Sequence, residues 1–355
     1  MNKKLLSSTA LVGALLVSGA ALAEFKVGAD VSATYVMGTD DNTTGINSGE
    51  RVGNETNLLM SGSQALSNGM TASYSGKIEF DGPATQSTST GNPDHEYELK
   101  IGTANAYVAF ANDGGQSNRT SMTPFVSYPI GSTANAVTPT KPAFAGDSYI
   151  SGTHQSNNIA VGGKVGEGNI VVRYAPSAAG IEGDDVATGN DLNSDTGTTK
   201  GSGYLIAYNG KVGALGLNAS HTAEQIADES GSTTDDAKES RVGVNYTAGS
   251  IKVGADYIKY ESGVAIGTGD KKTYILGAAY AVDKNVTVGI YHQTTEDEAN
   301  ASTAQDEDMN MISIGYNLGG ASVALSVVDI EGLGNTANGT DSDYQGLMIT
   351  TKVGF

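Results

Sequence analysis

From Glu24 to the final Phe355, apolar residues recur at nearly every second position, and no stretch shows the spacing of an amphipathic helix. Phe25, Val27, Ala29, Val31, Ala33 and Tyr35 share one face of a strand, against Lys26, Gly28, Asp30, Ser32 and Thr34 on the other. The pattern returns in Ala72, Tyr74, Gly76, Ile78 and Phe80, in Val242, Val244 and Tyr246, in Tyr274, Leu276 and Tyr280, and in Ile312, Ile314 and Tyr316. It persists to the terminus, where Leu347, Ile349, Thr351, Val353 and Phe355 oppose Gly346, Met348, Thr350, Lys352 and Gly354. An apolar ribbon at a chain end would fray in water. It is accounted for if the last strand pairs with the first and closes a barrel, with lipid outside and water inside.

The connections support that closure. Short Gly/Asn/Asp turns are predicted at 66–69, 112–115, 166–168, 209–210, 248–249, 283–285 and 319–320. Long polar connections fall near 38–50, 82–95, 116–153, 178–201, 227–238, 262–271, 297–308 and 332–342. Together they join sixteen strands, with short turns on one rim and long loops on the other. The ~330 residues from Glu24 onward leave about 21 for each strand with its connection, room for a tilted strand of ~10 residues. A secreted sandwich or β-helix would show more uniform connections and larger aliphatic residues on both faces. Here the second face is Gly, Ser, Thr, Asn, Lys and Asp, too polar for a dry core, and a sixteen-strand barrel is wide enough for water.

Residues 1–23 have the layout of a secretory signal peptide: Lys3 and Lys4, an apolar stretch from Leu11 to Leu22, then Ala21-Leu22-Ala23 as a cleavage site. The expected division is a signal peptide over 1–23 and a barrel over 24–355. No other stretch approaches the ~20 apolar residues of a spanning helix. Cys is absent, which excludes disulfide scaffolds, thiolate metal sites and Cys nucleophiles. Tyr outnumbers Phe, 17 to 6, as expected where an apolar wall meets lipid headgroups. The net charge is −19, and loss of Lys3 and Lys4 makes it more negative. Nucleic acid is therefore not an expected partner, since phosphate neutralisation needs Lys and Arg.

Three segments carry a family resemblance: Leu66-Ser67-Asn68-Gly69-Met70-Thr71-Ala72, Ala106-Tyr107-Val108-Ala109-Phe110, and Ser156-Asn157-Asn158-Ile159 with the later Val171-Val172-Arg173-Tyr174. In order and spacing they resemble the second turn and third strand, the fourth strand, and the sixth and seventh strands of Gram-negative general diffusion porins. Phe355 is similar to the terminal aromatic of outer-membrane barrels. The resemblance covers the whole length after Glu24. It implies an all-β, transmembrane, antiparallel up-and-down barrel of sixteen strands whose long third loop folds into the lumen. It further implies export to the outer membrane of a Gram-negative bacterium, a homotrimer, contact with outer-membrane lipid and lipopolysaccharide, and handling by the barrel-assembly machinery, with Phe355 as the assembly signal.

The third loop contains Pro142-Ala143-Phe144-Ala145-Gly146-Asp147, similar to the family's Pro-Glu-Phe-Gly-Gly-Asp constriction motif. Pro142, Phe144, Gly146 and Asp147 match; Ala143 replaces the Glu. Arg119, Lys141 and Asp147 are the loop's candidates for the narrowest section. The loop's prolines and its apolar Phe125, Ile130 and Ile150 favour a packed segment. The family's facing ladder of arginines is not reproduced: its positions fall on Asn57, near Ala104, and on His154.

Alternation places Lys26, Asp30, Glu55, Lys77, Glu79, Glu98, Lys100, Arg173, Arg241, Lys252, Asp256 and Lys352 towards the lumen, where a charge avoids the ~2–4 kcal/mol cost of facing lipid at midplane. Acidic runs such as Asp184-Asp185, Asp235-Asp236 and Asp306-Glu307-Asp308 fall in the long loops. They predict a mild cation preference over about a Debye length, ~8 Å at physiological salt. Asp191, Asn193 and Asp195 are spaced like the start of a Ca²⁺ loop, but the sixth-position Gly is missing and Ser202 stands where the bidentate Glu belongs. No other cofactor is expected.

Passive diffusion of small hydrophilic solutes and ions is the expected function. A substrate-specific channel and a structural or adhesive barrel without a general pore are the alternatives. An enzyme is not expected, because His95, His154, His221 and His292 lie on separate segments without HxxxH or HExxH spacing.

Overall fold

A sheet whose strands each expose an apolar face to lipid cannot leave unpaired backbone N–H and C=O groups at an edge, so it must close on itself. The computed structural model shows that closure. It describes residues 24–40, 49–81, 94–112, 157–176, 200–226, 236–261, 270–297, 306–332 and 343–355. The expected signal peptide lies outside the described residues. The strands are β1 (Glu24–Asp40), β2 (Gly49–Ala65), β3 (Thr71–Asp81), β4 (Asp94–Gly102), β5 (Ala106–Asn112), β6 (Asn158–Val165), β7 (Gly168–Ala175) and β8 (Lys200–Val212). They continue with β9 (Leu215–Ile226), β10 (Ala237–Ala248), β11 (Ile251–Glu261), β12 (Lys271–Ala281), β13 (Val286–Asp297), β14 (Glu307–Asn317), β15 (Ala321–Glu331) and β16 (Tyr344–Gly354). Each pairs antiparallel with its sequence neighbours, and β1 pairs with β16 to complete the ring.

At the seam Asp30 lies opposite Gly354 and Tyr35 opposite Ile349. Ala29 and Phe355 exchange backbone hydrogen bonds, N to O at 3.2 and 2.8 Å. The final residue therefore extends the ladder instead of fraying. Inside the seam, Tyr344 lies across Gly346 and Gly38, which face each other in the register. A Cβ on Gly346 would stand 2.6 Å from the tyrosine hydroxyl.

Two-residue turns join β6 to β7, β8 to β9 and β10 to β11, each opening on a glycine of positive φ; Gly166 and Gly213 hold +61° and +62°. That conformation matches the strand twist and is disfavoured for residues with a Cβ. Two of the predicted turns are corrected. Asn209-Gly210 runs within β8, and the chain reverses at Gly213. Asn112 ends β5, and the short turn is instead at 103–105, so Ala106–Phe110 belongs to the fifth strand and Ala104 to a turn, not a strand. This turn has no Gly. The Thr103 hydroxyl holds it, accepting from the backbone N–H groups of Asn105 and Ala106, both at 3.2 Å.

The outer face is apolar and exposed: Val27, Val161, Val244, Leu276, Ile290, Ile312 and Ile314 all point outward. The inner face departs from expectation, since it is not uniformly polar. Ile258, Ile275, Tyr291, Met309, Met311, Val328, Ile330, Tyr344 and Met348 form one buried apolar cluster on the inner side of β11–β16. Ala109, Ala160, Val171, Leu205 and Ala207 form a smaller one on β5–β8. Period two assigns a face to each residue, but it does not say that a face turned inward must be wet.

Candidate functional site

With the outer face given to the apolar band, the polar chemistry of the chain concentrates on the inner wall. Arg173 on β7 is fully buried. Its register partner is Ala160 on β6, which pairs with Ala109 on β5, which pairs with Lys100 on β4. Because Ala109, Ala111 and Ala160 offer only methyl groups, the guanidinium lies across two strands. It reaches Glu98 Oε2 on β4 at 3.1 Å and donates to Asn158 Oδ1 at 2.9 Å. The barrel's curvature brings these groups together, and the intervening small residues leave the path open. Lys100 folds over the ring of Tyr107, 3.8 Å from its centroid.

Several other inward charges are paired as well. Lys77 meets Glu96 at 2.7 Å on neighbouring strands. Arg241 bonds Glu239 at 2.7 Å along β10, and both side chains are buried. Asp30 receives the Asn57 amide at 3.1 Å and stands 3.4 Å from Lys352 across the seam. On β13 the Tyr291 hydroxyl donates to Gln293 at 2.6 Å, and Gln293 donates to Thr295 at 3.2 Å. A buried polar group without a partner costs ~1–3 kcal/mol, so such chains hold the wall in one arrangement.

The register places Lys26, Asp30, Asn57, Lys77, Glu98, Lys100, Arg173, Arg241, Lys252, Asp256 and Lys352 on this inner face, and Glu55 and Glu79 occupy inward positions of β2 and β3. It joins Asp30 to Asn57 and Lys352, and Arg173 to Glu98. Arg241 pairs elsewhere, on β10. Arg119, Lys141, Pro142, Phe144, Gly146, Asp147 and His154 lie outside the described residues, as do Asp191, Asn193 and Asp195. Glu96, Glu239, Lys164 and Lys211 are inward charges that the sequence reading passed over. Alternation counted back from the turn glycines Gly166 and Gly213 would have found the two lysines.

Among the described residues, no group of three or more His, Asp or Glu is placed to hold a metal ion. His221 and His292 stand on the outer face, against Ser240 and Asn310, both at 2.9 Å, away from the inward carboxylates. The wall supplies fixed charges and dipoles along a passage.

The family model described as "Gram-negative porin" matches residues 7–350. An anion-selective porin from Comamonas acidovorans superposes with a TM-score of 0.67 at 14% identity, covering 94% of this chain and 100% of that one. A triply substituted Rh. blastica porin gives a TM-score of 0.60 at 16% identity, with the same coverage. These structures share the fold. No curated protein sequence matches the chain.

Proposed function

Since the chain belongs to the Gram-negative porin family, a family of outer-membrane channels and not of enzymes, we propose that it lets small hydrophilic solutes and ions diffuse passively through a water-filled barrel. The observation that carries this reading is the closed sixteen-strand ring with its paired charges turned inward and its apolar residues turned out. Nothing in such a wall needs to react. Solutes would be sorted by size and, more weakly, by charge.

The inner apolar cluster supports a seat for the long connection between β5 and β6. Met309, Met311, Val328 and Ile330 are buried although they face the lumen, and apolar surface left against water costs ~25 cal/mol per Å². In this reading the stretch around Pro142, Phe144, Gly146 and Asp147 folds inward over them and narrows the passage, with Arg119 and Lys141 beside it. The acidic runs of the long connections then give mild cation preference, opposite in sign to the Comamonas neighbour named for anion selectivity. The inward tyrosines of the described strands, Tyr107, Tyr260, Tyr291 and Tyr344, stand on four different strands, and the last two are buried. They make no aromatic track for one substrate.

The reading includes cleavage after Ala23, a homotrimer in outer-membrane lipid and lipopolysaccharide, and Phe355 as the assembly signal. Phe355 is 81% exposed on the outer face, where an assembly factor can reach it. Purified protein in a planar bilayer tests the proposal. Stepwise openings in threes, with a reversal potential of cation sign in a KCl gradient, are expected. Silence would favour a structural or adhesive barrel, and an anion-signed reversal potential would remove the cation preference.

A further inference from the structure

The inward positions nearest the short turns carry six lysines and, among the described strands, one carboxylate, Glu24. Lys26 on β1, Lys100 on β4, Lys164 on β6, Lys211 on β8, Lys252 on β11 and Lys352 on β16 each stand within three residues of the strand end at that rim. Register puts all six on the inner face. Lys164 pairs with Asn169, Lys211 with Gly216, and Lys252 with Thr247 and Ala279, whereas the outward partners at these levels are Val165, Val212 and Val253. Among the described strands one inward carboxylate shares this level, Glu24, two residues before Lys26 on β1 and opposite Ser63; Asp30, opposite Gly354, is further in and already bonded to Asn57 and Lys352. The turns themselves add Glu167, Asp283 and Lys284, and Asp283 is taken up by the backbone N–H groups of Asn285 and Val286.

A polar cavity of about 390 Å³ opens at this rim, with Lys284 and Lys352 among the residues around it and Gly315, Gly319, Gly320 and Gly354 leaving it clear of side chains. At the opposite rim the sign reverses. Buried Glu224, Glu239 and Glu307 face inward near the strand ends, Asp297 ends β13 opposite Lys271, and the long connections carry Asp184-Asp185 and Asp235-Asp236 in their sequence.

We infer that the six inward lysines form a mouth at the short-turn rim that recruits small anions such as chloride, phosphate and carboxylates, and that, with the acidic opposite rim setting the net cation preference, it makes the passage a bipolar, rectifying channel. The inference rests on the barrel being an open pore. Field lines in a low-dielectric tube are focused along its axis, so a ring of one sign enriches the opposite ion locally. When the long-connection side is positive, anions enter past the lysines and cations past the acidic connections, and both accumulate inside. The reverse voltage drains both from the middle. The Debye length is about 10 Å at 0.1 M salt and about 3 Å at 1 M, so the asymmetry fades as salt rises.

The test is the current of single pores at equal and opposite voltages. Orientation is read from one cysteine added to the 177–199 connection of this cysteine-free chain and labelled from one chamber with a maleimide polymer. In about 0.1 M KCl the current should be on the order of 1.5-fold larger with the long-connection side positive, and equal at about 1 M. The K100Q/K164Q/K211Q/K252Q variant should lose most of that ratio. K238Q/K259Q/K272Q, which removes lysines from outward positions, should keep it. Heat-modifiable mobility on SDS gels confirms that each variant is folded. A symmetric open channel at low salt, or a ratio unchanged in the inward variant, overturns the lysine mouth alone. A protein that conducts nothing overturns the pore reading and this inference together.

Discussion

Arg173 and Glu98 meet at 3.1 Å although two strands separate β7 from β4. The guanidinium spans the gap over Ala160 and Ala109, which are fully buried beneath it. Three features are coupled at this contact: the barrel's curvature, the small residues between the partners, and the burial of a permanent charge.

Glu98→Gln leaves that charge with a neutral partner. Removing one member of a buried pair costs ~3–5 kcal/mol, less here because Glu98 keeps 19% of its side chain exposed, so about 2–3 kcal/mol is expected. The urea midpoint of the refolded barrel in lipid vesicles measures it. A midpoint equal to that of the parent would mean that Asn158 alone sustains Arg173.

Ala160→Leu tests the same contact from its path. An added branched side chain beneath the guanidinium forces it away from Glu98, and overpacking of this kind costs ~1–3 kcal/mol. Non-additivity in a cycle with Glu98→Gln is the expected signature, since both changes remove one interaction.

At the seam, Gly346→Val places a Cβ where the Tyr344 hydroxyl now lies. Tyr344 must swing off the pair of glycines, at ~1–3 kcal/mol. Slower conversion to the heat-modifiable folded form on gels is the readout. Tyr344→Ala in the same background should recover part of the loss.

Met309→Ala and Met311→Ala open space in the inner apolar cluster, each at ~2–5 kcal/mol. If the β5–β6 connection seats there, the double variant should also show noisier open-channel current. Destabilisation with an unchanged current trace would place the seat elsewhere.

Outward Ile314→Lys should cost ~2–4 kcal/mol in a lipid bilayer. Ile314→Val, which opens no core cavity on this exposed face, should change stability by less than ~0.5 kcal/mol. Comparable losses for the two would argue that this stretch of wall does not face lipid.

Much of the architecture was legible because a strand's pleat is a local property. Leu347, Ile349, Thr351, Val353 and Phe355 turn outward and Met348 and Lys352 inward, as the alternation of the last strand requires. The pairing of β16 with β1 follows from the need to leave no edge. Turns written in Gly were mostly read correctly. The turn at 103–105 was missed because a Thr103 hydroxyl does the work of a glycine. Asn209-Gly210 misled because a good turn dipeptide also fits within a strand when Tyr208 packs over its glycine.

The amino-acid sequence by itself determined the face that each residue takes, the number of strands and the division into a short-turn rim and a long-connection rim. Period-two patterning and turn chemistry act over a few residues and need no distant partner. Only the tertiary structure decided that Arg173 meets Glu98, that nine inward apolar residues gather on β11–β16, and that six lysines from strands spread around the barrel share one rim. Those relations depend on the register and curvature of the closed sheet, which set distances between residues far apart in the chain.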